Sequence, residues 1–488
     1  MLKLTSRGPI VAAAAAVLAL SSCKKEEPLP EVPLTEAEGR VEVVEAAWPE
    51  GGASGTFTVS DLSAPPKDGD IGWWPAVAVS ADGAVHLAYT DAYNGAVHHA
   101  ERVDGEWKIT AVDSAGAVGK YPAIALAADG TPHVIYYNQD NRILRHAARL
   151  GGNAVDPEDR RRPPQAHEDW VYEVVDQGFE IGMAGQLVFG PDGTLHAVYY
   201  GPEQRLVHAW RPPVADGERG RWERRIIDRE AAGSHSIVIG LALGRDGALH
   251  VSYANWLVAS SELRYARLAP GADEWDVEKV RGVENAGWKS GIVLDEEDRP
   301  LIAYLLLEER RLYLARPESE GWEHVVLVGD ANTMSFTRAE DGGSLLLAYE
   351  HLPGRGLSGA GVRLLQRADS RGALDDGWVA AEVPDGMMST YMDAALGAGG
   401  RPVAAFYKGD IRGVAVFEAS RPLIEAAPPV TDEDAEQADP AGEVNGAGEE
   451  GQAEEPAEEG SLEGESERAE REAESSSEVE SELPEPSV

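Results

Sequence analysis

The chain has 488 residues, 85 acidic against 43 basic side chains, a formal net charge of −42 and a single cysteine. One cysteine excludes a disulfide framework and any cysteine-rich zinc module. The negative charge argues against a nucleic-acid partner, because binding phosphates requires clustered lysine and arginine. At the usual number of residues per domain, the length alone suggests about three domains. Repeat proteins do not follow that relation, so internal repeats have to be considered first.

Residues 1–22 have the features of a secretory signal peptide, with a basic start and an apolar run from Ile10 to Leu20. This run is too short to span a bilayer in the mature protein. Cys23 directly follows Leu-Ser-Ser, which resembles the lipobox of bacterial lipoproteins. The resemblance implies that Cys23 is diacylated and anchors the protein in the membrane. Lys24 favours the outer membrane by resemblance to enteric sorting rules; the alternative is an ordinary signal peptide with a coincidental cysteine.

Both ends of the mature chain have the composition of unfolded segments. Residues 23–53 are rich in proline and glutamate and are predicted to form a flexible tether. Residues 426–488 contain no aromatic residue, and residues 431–488 hold 22 acidic side chains against two arginines. Such a segment cannot bury a core, so we predict a disordered acidic tail that carries about half of the net charge.

Between these ends one pattern recurs: an apolar run, a turn usually written Asp-Gly, and a strand that closes with an aromatic residue. Asp-Gly between apolar runs is a strong hairpin signal, because a type I′ turn needs positive φ at both central positions. The seven closing aromatic residues are Tyr89, Tyr136, Tyr199, Tyr253, Tyr304, Tyr349 and Phe406. A third strand follows in each unit, and the fourth opens with a tryptophan at Trp107, Trp170, Trp222, Trp275, Trp322 and Trp378.

Four short strands per unit, in units of 45 to 63 residues, are typical of a β-propeller blade. We therefore predict an all-β, seven-bladed propeller of four-stranded blades over residues 54–425. The seventh unit lacks a fourth strand, whereas residues 55–62 resemble the tryptophan-led strands. This N-terminal strand is predicted to complete the seventh blade and close the ring.

Four histidines hold the same position of the repeat: His86, His133, His196 and His250. They lie on second strands of four different blades and cannot converge on one zinc ion, whose ligand nitrogens lie about 2.0–2.1 Å away. We predict that each imidazole packs between blades and bonds the neighbouring Asp-Gly turn or backbone. No metal and no cofactor are predicted, and the sequence has no nucleophile elbow, phosphate-binding loop or dinucleotide fingerprint.

The loops that enter the first strand of each unit are predicted to surround the central channel on one face of the ring. They mix aromatic with polar and charged side chains, which suits recognition of a sugar or a peptide, because rings cover apolar faces while polar groups orient the ligand. The alternative is that these residues only cap a packed ring. The candidate ligand-binding residues are Trp73, Trp74, Lys120, Tyr121, His235, Trp288, Lys289, Tyr391 and Asp393.

Residues from about 55 to 420 resemble the sialidase-like (BNR-type) repeat propellers of bacterial secreted proteins. The resemblance lies in the repeated Asp-Gly-x-x-His-φ-x-Tyr and in the tryptophan-led fourth strand, and it implies architecture rather than activity. The sialidase Asp-box between strands three and four is absent. The pattern is also similar to that of seven-bladed bacterial lectins, whose sites lie between blades.

The sequence therefore predicts an exported, lipid-anchored propeller that acts as a binding or assembly module for a glycan or an envelope protein, with no nucleic-acid partner. One alternative is a carbohydrate-active enzyme, a hydrolase or a lyase, that uses the channel face. Glycoside hydrolysis needs two facing carboxylates, and Asp91, Glu308, Asp393 and Asp410 could supply them, but no pair is identified. A second alternative is a purely structural envelope scaffold.

Overall fold

The computed structural model describes residues 39–46, 55–62, 71–114, 118–151, 169–179, 181–214, 220–231, 238–255, 262–283, 286–339, 343–354, 360–383 and 391–424, with only the backbone described for 39–46. The chain divides into residues 1–427 and 428–488, and all described residues belong to the first unit. The predicted signal peptide, Cys23, His235 and the acidic tail lie outside the described residues.

The described strands form seven antiparallel sheets, six of four strands and one of five. Six of the sheets are simple meanders, in which strands adjacent in sequence are adjacent in the sheet. This confirms the predicted all-β, seven-bladed propeller. Two short 3-10 segments, Pro202–Gln204 and Ala398–Gly400, interrupt the strands. No helix among the described residues is long and apolar enough to cross a bilayer.

The strands are numbered in chain order, starting with β1 (Gly39–Ala46) and β2 (Gly55–Leu62). Blade 1 consists of β3 (Ile71–Val79), β4 (Val85–Asp91), β5 (Ala96–Val103) and β6 (Glu106–Asp113). Blade 2 consists of β7 (Lys120–Leu126), β8 (Pro132–Asn138), β9 (Ile143–Ala148) and β10 (Val171–Gln177). Blade 3 consists of β11 (Met183–Phe189), β12 (Leu195–Tyr200), β13 (Leu206–Arg211) and β14 (Glu223–Asp228).

The second half of the ring repeats this order. Blade 4 consists of β15 (Gly240–Leu243), β16 (Leu249–Asn255), β17 (Glu262–Leu268) and β18 (Asp276–Arg281). Blade 5 consists of β19 (Ala286–Leu294), β20 (Pro300–Leu306), β21 (Arg311–Pro317) and β22 (Trp322–Val328). Blade 6 consists of β23 (Ala331–Arg338), β24 (Leu345–His351), β25 (Gly361–Arg367) and β26 (Val379–Glu382). Blade 7 begins with β27 (Met392–Gly397), β28 (Arg401–Lys408) and β29 (Gly413–Ala419).

Blade 7 joins the two ends of the ring. β2 pairs antiparallel with β29, with Phe57 opposite Ala419 and Leu62 opposite Val414, so the predicted closure by residues 55–62 is confirmed. β1 pairs with β2 as a fifth strand. Residues 39–46, predicted as part of the tether, therefore extend the blade, and the physical reason is that the outer edge of β2 offers unpaired backbone groups to a further strand.

The first strand of each blade lies innermost and contacts the first strands of both neighbouring blades around the ring, β27 and β3 included. The hydrophobic core lies between the sheets, where side chains of adjacent blades interdigitate. Leu87, Ile135 and Leu347 illustrate this layer, since their side chains have no solvent exposure. Each blade is therefore stabilised by two neighbours, and an open end would leave one apolar face in water.

Hydrogen bonds from tyrosine hydroxyls join successive blades of the ring. The closing tyrosine of one blade donates to the carboxylate that ends the fourth strand of the preceding blade: Tyr136 to Asp113 (2.9 Å), Tyr199 to Asp176 (2.9 Å) and Tyr253 to Asp228 (2.7 Å). At the next seam the polarity is reversed, because Arg281 donates to the Tyr304 hydroxyl at 2.6 Å. Four of the closing aromatic residues are thus both core side chains and inter-blade hydrogen-bonding groups.

The repeated histidines form pairs within a blade, which differs from the predicted bond to the Asp-Gly turn. Nδ1 of the second-strand histidine lies 2.9–3.1 Å from Nε2 of a third-strand histidine in three blades, and in blade 4 His250 Nδ1 lies 2.6 Å from the Tyr265 hydroxyl. The reason is the register, which places each third-strand side chain diagonally across from the second-strand histidine, opposite the residue two positions after it. The pairs are His86 with His99, His133 with His146, and His196 with His208.

Loss of β2 should destabilise the whole ring. A chain that starts at residue 63 lacks Phe57, Val59 and Leu62, all buried in blade 7 or against blade 1, and at 1.5–3 kcal/mol per side chain it should lose at least about 4 kcal/mol of unfolding free energy. A chain that starts at residue 47 removes β1 but keeps β2 and is the matched control. Urea unfolding followed by tryptophan fluorescence measures both, and equal midpoints would contradict closure by β2.

Candidate functional site

The seven inner strands enclose a cavity of about 730 Å³ that is lined by residues of every blade. Ligand pockets in proteins span roughly 300–1,000 Å³, so the cavity is of suitable size for a small molecule or the end of a larger one. Its lining runs from aromatic residues at the start of the inner strands to charged residues at their far end. The two ends differ in chemistry and are described in turn.

One residue of each blade forms a ring at the start of the inner strands, the end nearest the loops singled out in the sequence. In β27, Met392 pairs with the closing Phe406 and Tyr391 precedes it. In β19, Ser290 pairs with Tyr304 and Lys289 precedes it. The equivalent residues of all seven blades line the cavity and are called the mouth ring; from blade 1 to blade 7 they are Trp74, Tyr121, Ala184, Val238, Lys289, Thr333 and Tyr391.

Irregular pairing at the start of the inner strands positions the mouth ring. Register shifts precede the regular pairing in blades 1, 2, 3, 5 and 6. Trp74, Tyr121 and Ala184 have φ of 49°, 54° and 54°, a left-handed conformation that costs a non-glycine residue about 1–2 kcal/mol. Backbone strain of this kind persists only where the surrounding packing enforces it.

A glycine stands two positions before the mouth ring in four blades, and each has positive φ: Gly72, Gly119, Gly182 and Gly287. A Cβ on Gly72 would lie 2.8 Å from the backbone nitrogen of Val414, and one on Gly119 would lie 2.8 Å from the carbonyl oxygen of Ala96. The backbone at these glycines therefore packs directly against the third strand of the preceding blade. This contact fixes the position, along the axis of the propeller, of the mouth-ring residue two positions later.

Blades 7, 1 and 2 supply three aromatic rings in contact at the mouth, with the planes of Tyr121 and Tyr391 tilted 59° and 53° to that of Trp74. The Trp74 ring centroid lies 4.7 Å from that of Tyr121 and 5.1 Å from that of Tyr391. Trp73 adds a further ring 5.5 Å from Trp74, and Tyr407 lies 6.0 Å from Trp73. Burial raises the pKa of the Tyr391 hydroxyl to about 12, with the Trp74 indole opposing the shift, so the hydroxyl is neutral and can donate a hydrogen bond.

The opposite arc of the mouth ring carries small and polar side chains. Ala184 and Val238 leave space on blades 3 and 4, while blades 5 and 6 contribute Lys289 and Thr333. Lys289 is 4% exposed, and burial lowers the pKa of its ammonium to about 8, partly offset by the charge of Glu350. The mouth thus has an apolar side and a cationic side.

Asp393 lies one layer below the ring and is held by both neighbouring blades. Its Oδ2 accepts from the Val77 backbone N–H at 2.9 Å, and its Oδ1 accepts from the Ser335 hydroxyl at 2.8 Å. Burial raises the pKa of the Asp393 carboxyl, and these hydrogen bonds oppose the rise. Asp393 therefore links blades 6, 7 and 1 at the cavity wall.

Ion pairs occupy the far end of the cavity. Arg245 of blade 4 lies 3.1 Å from Asp298 of blade 5, and Arg338 of blade 6 lies 3.5 Å from Glu296 of blade 5. The cavity-lining carboxylates there are thus engaged with arginines. Among the described residues, no group of three or more histidine, cysteine, aspartate or glutamate side chains has the geometry of a metal site.

The structure brings together only some of the residues proposed from the sequence. Trp74, Tyr121, Lys289, Tyr391 and Asp393 line the cavity. The other described candidates lie beside it: Trp73 packs on Trp74 and Tyr391, Lys120 precedes Tyr121, and Trp288 packs against the core between blades 5 and 6. His235 is outside the described residues.

The carboxylates considered for hydrolysis are dispersed. Asp91 accepts from the backbone N–H groups of Tyr93 and Asn94 and stabilises its own turn. Neither Asp91, Glu308 nor Asp410 lines the cavity. Four further lining residues, Ala184, Val238, Thr333 and Ser335, are not among the ligand-binding candidates drawn from the sequence. A signal existed for Ala184, because a glycine stands two positions before it, as before Trp74 and Tyr121.

No protein-family model matches the chain, and no curated protein matches it. Similar solved structures include a polysaccharide lyase described as an ulvan lyase (TM-score 0.49, 12% identity, 77% of this chain and 98% of that one). Others are a hydrazine synthase of Kuenenia stuttgartiensis (0.47, 13%, 72% and 97%) and an α-L-arabinanase of Penicillium chrysogenum complexed with arabinobiose (0.39, 11%, 66% and 96%). The likeness concerns the propeller fold, which glycan-processing enzymes share, and it assigns no ligand or reaction to this chain.

Replacing Gly72 by alanine should destabilise the ring more than an equally strained control. Gly105 has a similar φ of 86° but no atom within 4 Å of an added Cβ, so Gly105→Ala should cost only the left-handed penalty of about 1–2 kcal/mol. Gly72→Ala adds a clash with the Val414 backbone and should cost at least about 1 kcal/mol more. Unfolding free energies from urea titrations decide this; equal losses would show that the close approach is not needed.

Proposed function

We propose that this protein is an exported lipoprotein whose propeller binds a saccharide at the mouth ring. Acyl chains on Cys23 would hold it in the bacterial envelope, with the outer membrane favoured by Lys24. The blades are proposed to be repeats of the sialidase-like type, on the basis of the recurring Asp-Gly-x-x-His-φ-x-Tyr. The observation that carries the proposal is the aromatic surface on three consecutive blades.

The argument for a saccharide rests on the two sides of the mouth. Trp74 lies between Tyr121 and Tyr391 with centroid separations of 4.7 and 5.1 Å, and all three line the cavity. Sugars offer apolar C–H faces to such rings and hydroxyls to polar groups opposite. Thr333 and Lys289 supply those groups on blades 6 and 5.

Binding is favoured over hydrolysis by the state of the carboxylates. A glycoside hydrolase needs one carboxyl group as acid and a second as base or nucleophile across the scissile bond. Both oxygens of Asp393 accept hydrogen bonds from the protein. Asp298 and Glu296 lie at the other end of the cavity beside arginines. The described cavity therefore offers no facing pair that is available for catalysis.

Replacing Trp74 should weaken saccharide binding strongly. The full chain, purified in detergent, is screened on a glycan array, and affinities for the hits are measured by calorimetry. Trp74→Ala should weaken binding by about 2 kcal/mol or more, roughly thirtyfold, because a tryptophan at the centre of a binding site carries much of the affinity. Trp107→Ala is the matched control. Trp107 is also half-buried in blade 1, on its outermost strand β6, but it does not line the cavity.

Each result of this experiment separates the proposal from its alternatives. Retention of a glycan without new products, lost in Trp74→Ala, supports binding. New reducing or unsaturated ends after incubation would assign a hydrolase or a lyase instead. If no glycan is retained, the saccharide proposal fails and a scaffold role becomes the better interpretation. Thermal midpoints of both variants establish that they are folded.

Replacing Cys23 by serine should release the protein from membranes. Two or three acyl chains, at about 0.8 kcal/mol per buried methylene, give stable anchoring, and serine cannot be acylated in this way. Fractionation of cells and a mass measurement of the mature N-terminus provide the readout. A Lys24→Asp variant, which keeps the cysteine, is the control for sorting between the two membranes. Unchanged membrane association of Cys23→Ser would disprove the lipid anchor.

A further inference from the structure

Lys289 is a buried cation at the mouth of the cavity that has no ion-pair partner within 4 Å among the described residues. It is 4% exposed and lines the cavity. Among the described residues it makes no ion pair and no side-chain hydrogen bond; the carboxylate whose charge acts on it is Glu350 of blade 6, which is itself held by the Asn332 amide at 2.7 Å. An unpaired ammonium in a buried site is costly, so an anion that enters the cavity would gain from it.

The backbone holds Lys289 rigidly at this place. The Val238 N–H donates to the carbonyl of Trp288 at 3.3 Å, and the Ser290 N–H donates to the carbonyl of Val238 at 3.4 Å. The residues on both sides of Lys289 are thus tied to blade 4. Gly287, with φ of 79°, packs its backbone against Leu263 of the same blade. These contacts fix the backbone of Lys289 and thereby the point on the cavity wall from which its side chain extends.

We propose that the mouth ring selects a sugar that bears one anionic group, a carboxylate or a sulfate ester, and that Lys289 is the residue that recognises this group. The inference rests on the proposed saccharide binding. The ring of the sugar would stack on the arc of Tyr391, Trp74 and Tyr121, and its anionic group would face Lys289 on blade 5. Charge-assisted hydrogen bonds of this kind are about twice as strong as neutral ones.

The charge of the protein limits this ligand to a single acidic sugar unit, either a monosaccharide or the terminal unit of a glycan. Asp393 lies one layer below the ring, and Asp298 and Glu296 lie at the far end of the cavity. Each of these carboxylates already has a hydrogen-bond or ion-pair partner in the protein. The arginines at the far end are engaged in those ion pairs, so the described lining residues offer no second free cation to a ligand. A polyanion would meet one ammonium within an acidic protein and gain little from it.

The test compares matched acidic and neutral sugars on the full chain in detergent. The probes are the methyl glycosides of glucuronic, galacturonic and mannuronic acid, the corresponding neutral hexosides, and the 6-sulfates of the same hexoses. Binding is measured by ligand-observed NMR and calorimetry at low salt. We expect at least one acidic sugar to bind about tenfold or more tightly than its neutral counterpart. Tighter binding of the uronide assigns a carboxylate, and tighter binding of the 6-sulfate assigns a sulfate ester.

Three variants make the assignment to Lys289 specific. Lys289→Met should weaken the acidic sugar far more than the neutral one and so remove the preference, whereas Lys289→Arg should retain it. Lys108→Met is the matched control and should change neither affinity, because Lys108 is an exposed lysine of β6 that does not line the cavity. Glu350, whose charge acts on Lys289, keeps its hydrogen bond from the Asn332 amide in Lys289→Met, and thermal midpoints of the variants establish that they are folded.

The outcomes distinguish failure of this inference from failure of the proposed function. If neutral sugars bind as tightly as acidic ones in every series and Lys289→Met changes nothing, saccharide binding stands and the anionic selectivity is wrong. If the preference exists but survives in Lys289→Met, the recognition residue is wrong. If none of the sugars binds and the array also gives no hit, both proposals fail.

Discussion

Closure of the ring is the constraint on which the other features depend. Each inner strand packs against two neighbours, and this condition is met at the last seam only because β2 returns to pair with β29. Once the ring is closed, every apolar sheet face has a partner and the inner strands are fixed in height relative to each other. The cavity, the mouth ring and the tyrosine–carboxylate bonds between blades exist only in that closed arrangement.

A repetitive scaffold thereby presents a site without symmetry. The seven mouth positions are equivalent in register, yet they carry three aromatic residues in a row, then alanine and valine, then Lys289 and Thr333. Tyr121 belongs to the hydrophobic core, and Trp74 and Ala184 pack against it. Part of the mouth ring therefore both stabilises the propeller and lines the cavity.

The sequence predicted the architecture well because its signals are local. Asp-Gly turns, alternating apolar residues and the missing fourth strand of the last unit fix strand number and closure without knowledge of tertiary contacts. The site was only partly predictable: Trp74, Tyr121 and Lys289 stood out by residue type, whereas Ala184 and Val238 matter through their small size and can be placed only by register. The histidine pairs were missed because a diagonal contact between strands depends on strand pairing, and β1 was missed because its pairing edge is created by closure itself.

The buried histidines of the repeat make the stability of the ring sensitive to acid. Burial lowers the pKa of His133 to about 2, of His208 to about 3 and of His250 to about 4, whereas an unfolded histidine titrates near 6.5. Below about pH 6.5 the unfolded chain binds protons that the folded chain does not bind. The free energy of unfolding therefore decreases as the pH is lowered. Blades 5 to 7 have buried Leu301, Leu346 and Val403 at the equivalent position. Acidification therefore lowers the free energy of unfolding of the closed ring, and the buried histidines of blades 2 to 4 contribute to that loss.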